Sequence, residues 1–284
     1  MRGKLQGLIK PLLEIGRETG DAICEHYHGP DSADFEAKGD DSPLTSADLA
    51  ADQVLQKGLK ALAPEVPVLS EESGAAVRKE RRQWQQYWLI DPLDGTREFL
   101  ARTGEFTVNI ALIDNHRPVL GLLYLPLRQL GYVGIPGVGS RCYRRGAGAE
   151  WTSRALHVRP LEAGRPLVLL ASRRHRNHRL RFCLDWLTGQ WGECDRQNSG
   201  SALKFCQLAE GRGDFYPRFT PCCEWDTAAG QALLEGAGGC LLDLSGQPLR
   251  YNTKASLYSP DFLAIADTDH PLWARLLREL PPGP

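Results

Sequence analysis

The sequence predicts an α/β protein in two parts: an α+β N-terminal half over residues 1–150 and an α/β C-terminal half over residues 151–284. Three patterns carry that reading. Apolar residues recur at helical spacing through the first thirty positions, strand-like apolar runs follow as far as residue 135, and beyond residue 150 strands and helices alternate.

Taken in order, Leu5, Leu8, Ile9, Leu12, Leu13, Ile15, Ile23 and Tyr27 form the stripe of an amphipathic helix that needs a packing partner. Ala37-Lys38-Gly39-Asp40-Asp41-Ser42-Pro43 reads as a loop. Thr45-Ser46-Ala47-Asp48 has the spacing of a capping box and opens a second helix that runs to Pro64. A short apolar segment at 66–69 precedes a charged loop at 78–82, and 87–90 is a buried-strand run. Residues 107–113 and 119–124 read as a hairpin closed by Asp114-Asn115-His116-Arg117-Pro118, with 131–135 as a third strand. In the second half, 167–171, 214–216, 240–243 and 262–266 read as strands. The segments 182–187, 202–210, 227–235 and 271–280 read as helices, Ser245-Gly246-Gln247-Pro248 as a turn, and Pro281-Pro282-Gly283-Pro284 as a frayed tail.

Composition narrows the function. The 284 residues carry 34 Lys+Arg against 35 Asp+Glu, a net charge of −1, which argues against a nucleic-acid polymer as partner. With 42% hydrophobic and 24% charged residues, the chain can bury a real core and is not of a disordered class. No apolar run reaches the ~18 to 20 residues of a membrane span, and Met1-Arg2-Gly3-Lys4-Leu5-Gln6 leads into no signal core. A cytoplasmic protein is expected; peripheral attachment to an inner membrane and the oligomeric state are not legible. The eight cysteines contain no C-x-x-C, so free thiols are expected, several in apolar surroundings such as Cys206.

The densest chemistry is Asp91-Pro92-Leu93-Asp94-Gly95-Thr96, directly after the apolar run ending at Ile90. Pro92 holds Asp91 extended, the Leu93 carbonyl is a potential ligand, Gly95 permits close backbone approach, and Thr96 can begin a helix. Carboxylates, a carbonyl and water suit a hard divalent ion such as Mg²⁺. Asp-Pro and Asp-Gly are also ordinary turn dipeptides. Two further acidic clusters weigh against that plain reading: Ser70-Glu71-Glu72-Ser73, after a short strand, and Trp225-Asp226-Thr227, where Asp226 opens a helix and is equally able to cap it. Asp48 is likewise explained by its capping box alone. The two residues between Asp91 and Asp94 argue against the aspartyl-phosphate phosphatases, whose acids are separated by one, and no G-x-x-x-x-G-K-[ST] is present.

The order and spacing of Glu71-Glu72, Asp91-Pro92-Leu93-Asp94-Gly95-Thr96 and Trp225-Asp226-Thr227-Ala228-Ala229-Gly230 closely resemble the inositol monophosphatase superfamily of Mg²⁺-dependent, lithium-sensitive phosphatases, over about residues 38 to 265. The resemblance implies a layered αβαβα sandwich of the inositol monophosphatase / fructose-1,6-bisphosphatase type, with two or three Mg²⁺ ions between two domains. By position, Glu71, Asp91, the Leu93 carbonyl, Asp94 and Asp226 would hold the metal. Asp48 with Thr96 would orient the attacking water, Glu71 would share in catalysis, and the N–H groups of Gly95 and Thr96 would face the phosphate.

The second half bears on the substrate. Ser172-Arg173-Arg174-His175, Gly200-Ser201-Ala202-Leu203-Lys204 and Tyr216-Pro217-Arg218-Phe219 resemble the 3'(2'),5'-bisphosphate nucleotidases. That resemblance implies hydrolysis of adenosine 3',5'-bisphosphate to AMP and phosphate, action on its sulfated analogue, and a place in sulfur assimilation. Ser201, Lys204 and Arg218 are the candidates for a second phosphate, and His175 for the nucleoside. Plainer readings stand beside these: residues 173–181, with five Arg and two His, fit a solvated face, Lys204 can point to water, and Ser201 can be a helix cap. The rival functions are an inositol or sugar phosphatase on the same scaffold and a nucleotide sensor without turnover.

Overall fold

The computed structural model describes residues 2–29, 35–37, 43–146, 148–173 and 178–281. Helices α1 (Arg2–Gly7) and α2 (Ile9–His28) realise the N-terminal stripe, with Leu12, Leu13, Ile15 and Ile23 buried. Strands β1 (Phe35–Ala37) and β2 (Pro43–Thr45) pair antiparallel, so Ala37 and Pro43 leave the expected loop for a small ladder, while 38–42 lie outside the described residues. Helix α3 (Ser46–Leu62) starts on the capping box read from the sequence: Thr45 and Asp48 exchange side-chain to backbone hydrogen bonds.

Strand β3 (Val68–Ser70) follows. The expected charged loop is instead helical, α4 (Ala75–Glu80) followed by a 3₁₀ turn over Arg81–Gln83. The reason lies with Arg81, which is buried and donates to Asn252 Oδ1 at 2.5 Å and to the Ala255 carbonyl at 2.6 Å, so tertiary partners organise a stretch that looks solvated. Next come β4 (Gln86–Asp94), α5 (Thr96–Leu100), β5 (Thr107–Asp114), β6 (Arg117–Leu125) and β7 (Leu130–Ile135). Two strands not foreseen, β8 (Gly139–Arg145) and β9 (Trp151–Leu156), then extend the sheet. The order is β3-β4-β5-β6-β7-β8-β9, antiparallel except for β3 and β4.

Beyond Leu156 the chain crosses to a five-stranded sheet through β10 (Leu167–Ala171), α6 (His178–Trp191), the unforeseen edge strand β11 (Cys194–Asn198), α7 (Leu203–Ala209) and β12 (Phe215–Arg218). Helix α8 (Ala228–Gly236), β13 (Cys240–Asp243), β14 (Phe262–Ile265) and α9 (Leu272–Glu279) complete it in the order β11-β10-β12-β14-β13.

Period-two alternation sorts the side chains into three cores. Trp88, Ile90, Val108, Ile110 and Leu122 face α2 and α3. Their neighbours Tyr87, Leu89, Ala111 and Leu123 face the opposite way, onto α7 and α8, which also receive Tyr216, Phe262 and Leu241 from the second sheet. Leu169, Phe215, Leu263 and Ile265 turn to α6 and α9. The result is the αβαβα sandwich, with α7 and α8 as the middle layer. Helix α8 lies unusually close to the large sheet because Gly121 and Gly134 are cross-strand partners beneath it. A Cβ at Gly121 would meet Ala229 O at 2.4 Å, and one at Gly134 would meet Leu233 Cα at 2.3 Å. All eight cysteines are free thiols, and no helix among the described residues is long and apolar enough to cross a membrane.

Candidate metal centre and active site

Asp91 and Asp94 are three apart on a strand, which would ordinarily point them to opposite faces. A bulge reverses this. Asp91 pairs with Asn109 and Asp94 with Thr107, so three steps on β4 match two on β5 and both acids emerge on the face between the sheets. Pro92, which has no N–H to pair, sits inside the irregular stretch. Parallel pairing of β3 with β4 sets Ser70 against Ile90, and the Glu71 N–H donates to the Ile90 carbonyl at 3.1 Å, bringing Glu71 alongside Asp91. Asp226 arrives from the other half, on the 3₁₀ turn Glu224–Asp226 that leads into α8. Carboxylate oxygens of Asp91, Asp94 and Asp226 all lie within 4.8 Å of one another.

Each of these three acids spends one oxygen on the protein. Asp91 Oδ1 accepts from Leu93 N at 3.1 Å, and Asp226 Oδ2 accepts from Cys223 N at 2.9 Å, so Asp226 is both a cap and a member of the cluster. Asp94 Oδ2 accepts from Ala202 N at 2.7 Å, Ser201 Oγ at 2.8 Å and Asn109 Nδ2 at 3.3 Å. The second oxygens have no hydrogen-bond donor among the described residues. A dense set of carboxylate oxygens with unshared lone pairs fits a hard divalent cation.

The electrostatics agree. Burial, then the charges of Glu71, Asp94, Asp226 and Asp48, push the Asp91 carboxyl well above the usual carboxylate range. Asp226 is raised to about 7 by burial and by Asp94, against the opposing pull of Arg218. Acids that repel one another this strongly are stabilised together by cations. Glu71 stands outside the tightest trio yet is the largest single charge acting on Asp91. Its loop is tied down by Arg78, which donates to the Glu71 carbonyl at 2.6 Å and lies over the Trp225 ring, 5.5 Å from its centroid, linking it to the Asp226 turn.

On the other flank, Gly95 adopts φ +95°, and an added Cβ would stand 3.0 Å from Glu105 O. This left-handed turn launches α5 with Thr96 as its first residue. Thr96 Oγ1 is 3.3 Å from both Asp48 Oδ1 and the Leu93 carbonyl. Asp48 is 1% exposed and uses both oxygens: Oδ2 accepts from Thr45 N at 2.7 Å and Thr45 Oγ1 at 2.5 Å, while Oδ1 accepts from Thr96 Oγ1 at 3.3 Å.

Of the residues read as phosphate contacts, Ser201 is bonded to Asp94, in a left-handed conformation with φ +49°. Lys204, 2% exposed, does not point to water. Its Nζ donates to the carbonyls of Ser201 at 2.7 Å and Ser199 at 3.1 Å and stands 5.0 Å from the centroid of the Tyr216 ring. Burial foremost, then Arg218, lowers its pKa to about 8. Arg218 is half-buried, donates to the Pro221 carbonyl at 3.1 Å and exerts its charge on Asp226. His175 lies outside the described residues.

Sequence reasoning passed over Thr107, Asn109 and Glu105. Thr107 Oγ1 lies 2.7 Å from both Asn109 Oδ1 and Ser201 Oγ, and the pair faces the two aspartates across the bulge. The signal was there: two polar residues at period two in an otherwise apolar strand, both buried. Glu105 accepts from Gly200 N at 2.7 Å and from Arg173 at 2.7 Å, joining the loop after α5 to the loop before α7. No local pattern marks it.

A fold of five alternating layers with an acidic centre where the bulged strand meets the first turn of the middle helix defines a phosphatase class. The family model of the inositol monophosphatase family matches residues 4–280, and the chain belongs to that family. Within it, the chain is 42% identical over 255 residues to the 3'(2'),5'-bisphosphate nucleotidase CysQ of Escherichia coli (strain K12), covering 90% of this chain and 98% of that one. It is 35% identical to the CysQ nucleotidase of Buchnera aphidicola over 91% of this chain and 94% of that one. The crystal structure of CysQ from Bacteroides thetaiotaomicron superposes with a TM-score of 0.80 at 36% identity, over 93% of this chain and 98% of that one.

Proposed function

We propose that the protein is a Mg²⁺-dependent, cytoplasmic 3'(2'),5'-bisphosphate nucleotidase that hydrolyses adenosine 3',5'-bisphosphate, and its sulfated analogue, by direct attack of water. The observation that carries the reading is the convergence of Asp91, Asp94 and Asp226, drawn from both halves of the chain. The 42% identity to a bisphosphate nucleotidase supports the substrate.

Glu71, Asp91, the Leu93 carbonyl, Asp94 and Asp226 would hold the ions. Bound divalent cations supply the positive charge that acidifies water and offsets the phosphate. The chain's own residues do the rest. Thr96 Oγ1, whose proton is drawn by Asp48 Oδ1, presents its lone pairs to a water O–H and aims that water's oxygen at phosphorus. The Thr45 N–H and hydroxyl donate to the other Asp48 oxygen and fix the orientation of the carboxylate toward Thr96. Main-chain N–H groups of Gly95 and Thr96 orient the phosphate. Arg218 takes the second phosphate; Lys204 and Ser201 act through the 199–202 loop, holding Asp94 in place.

The test is phosphate release from adenosine 3',5'-bisphosphate, inositol 1-phosphate and fructose 1,6-bisphosphate with Mg²⁺ and after chelation. The bisphosphate nucleotide should be preferred and chelation should stop turnover, whereas a preference for either of the other substrates would overturn the substrate assignment. Asp94→Asn should lower kcat/KM roughly 100- to 1000-fold.

A further inference from the structure

We propose that the large sheet carries, beyond the C-terminal end of α7, a separate anion site that takes a small polyphosphate-type ligand. Strand register builds it. Leu130 of β7 pairs with Arg144 of β8, which pairs with Thr152 of β9; the next row but one on the same face is Tyr132, Cys142 and Arg154. The two rows make a floor with an apolar end, Leu130, Tyr132 and Cys142, and a cationic end. Arg128, from the turn before β7, and Arg212, just past α7, close the rim around a groove of about 640 Å³.

The charge balance of the groove is four arginines against one carboxylate, Glu210, or 4 − 1 = +3. Glu210 is already engaged: it accepts from Tyr132 Oη at 2.8 Å, from Arg212 at 3.3 Å and from Arg154. Arg128 and Arg144 are exposed and have no acidic partner among the described residues. Guanidinium groups present paired N–H donors that match phosphate oxygens two at a time. A ligand bearing three or four negative charges along a short chain neutralises this set, and a single orthophosphate leaves most of it unmet. The groove volume is that of a small-molecule site. The groove is lined by no member of the acidic centre, so it is independent of the catalytic reading.

The experiment is titration calorimetry of the full chain at low ionic strength in EDTA, where the acidic centre repels anions, with sodium tripolyphosphate and with ATP as probes. Both should bind saturably and more weakly as salt is raised. Equal affinity for the two identifies the phosphate chain as the recognised part; tighter ATP binding places the nucleoside on the Tyr132 floor. Arg128→Ala/Arg144→Ala should weaken binding ~10-fold or more, with thermal stability and Mg²⁺-dependent turnover unchanged. Arg128→Lys/Arg144→Lys, which keeps charge but loses the fork, should fall between. Failure of both probes to bind, or unaltered binding by the alanine double variant, overturns the proposal.

Discussion

Asp48 holds two positions at once. One oxygen closes the capping box of α3 with Thr45, and the other faces Thr96. Ser201 is comparable, because its hydroxyl reaches Asp94 and not open solvent. Ser201→Ala leaves Asp94 with Ala202 N, Asn109 and the longer Thr107 hydroxyl contact at 3.5 Å but without its short hydroxyl donor. Turnover should fall about 10- to 100-fold with little change in stability, checked by kcat at saturating Mg²⁺ beside a urea melt. Lys204 gives a pH signature. A buried lysine with folded pKa near 8 against an ordinary value of 10.5 binds fewer protons folded than unfolded between those values, so unfolding free energy rises as pH climbs from about 8 to 10.5. The gain is up to ~3 kcal/mol. It should appear in denaturant melts of the wild type and be absent from Lys204→Met. Asp91 and Asp94 drew notice at this scale because two acids bracket a Pro-Leu pair at a strand end, whereas Asp48, Glu71 and Asp226 joined them as a set only through the family resemblance. The hydroxyls, amides and Glu105 were not legible, since each gains its meaning only from a partner remote in sequence, as Glu105 does from Gly200.

At the scale of elements, most helices and strands follow from periodicity and caps, and α3 begins on the capping box its sequence announces. Thr45→Ala should therefore cost about 1 kcal/mol of stability through the lost cap and also slow turnover, since Asp48 keeps the backbone N–H but loses the hydroxyl donor that steadies it; a thermal melt and a rate assay on one preparation check both. Misread segments share a physical cause. Strands β9 and β11 are largely exposed, and β8 buries only the small Ser140 and Cys142 on its inner face, so none of them carries an alternating run of large apolar residues for a pattern to report. The stretch at 78–82 looked solvated because composition does not reveal that Arg81 is buried against the 252–255 segment. The bulge in β4 was equally hidden, although Pro92 marks its place, because register belongs to a pair of strands and not to one.

At the scale of the molecule, the sandwich joins two sheets through one middle layer, and the acidic centre is complete only when Asp226 from the second half meets Asp91 and Asp94 from the first. The texture change near residue 150 was visible in the sequence, but β9 still belongs to the first sheet and the crossing lies between Leu156 and Leu167. Helix α8 comes late in the chain yet rests on strands laid down early, over the Gly121 and Gly134 pair. Gly134→Ala would drive a methyl into the α8 backbone and should destabilise the fold by roughly 1 to 3 kcal/mol, with Tm as the readout.

That missing pair of methyl groups also bears on recombination between relatives. A hybrid that takes residues 1–156 from one parent and the remainder from another inherits a helix cut for a different gap unless both parents keep the same bare backbone there. The turn bearing Asp226 would then ride out of line with its fellow acids, and the three carboxylates would no longer converge on one point.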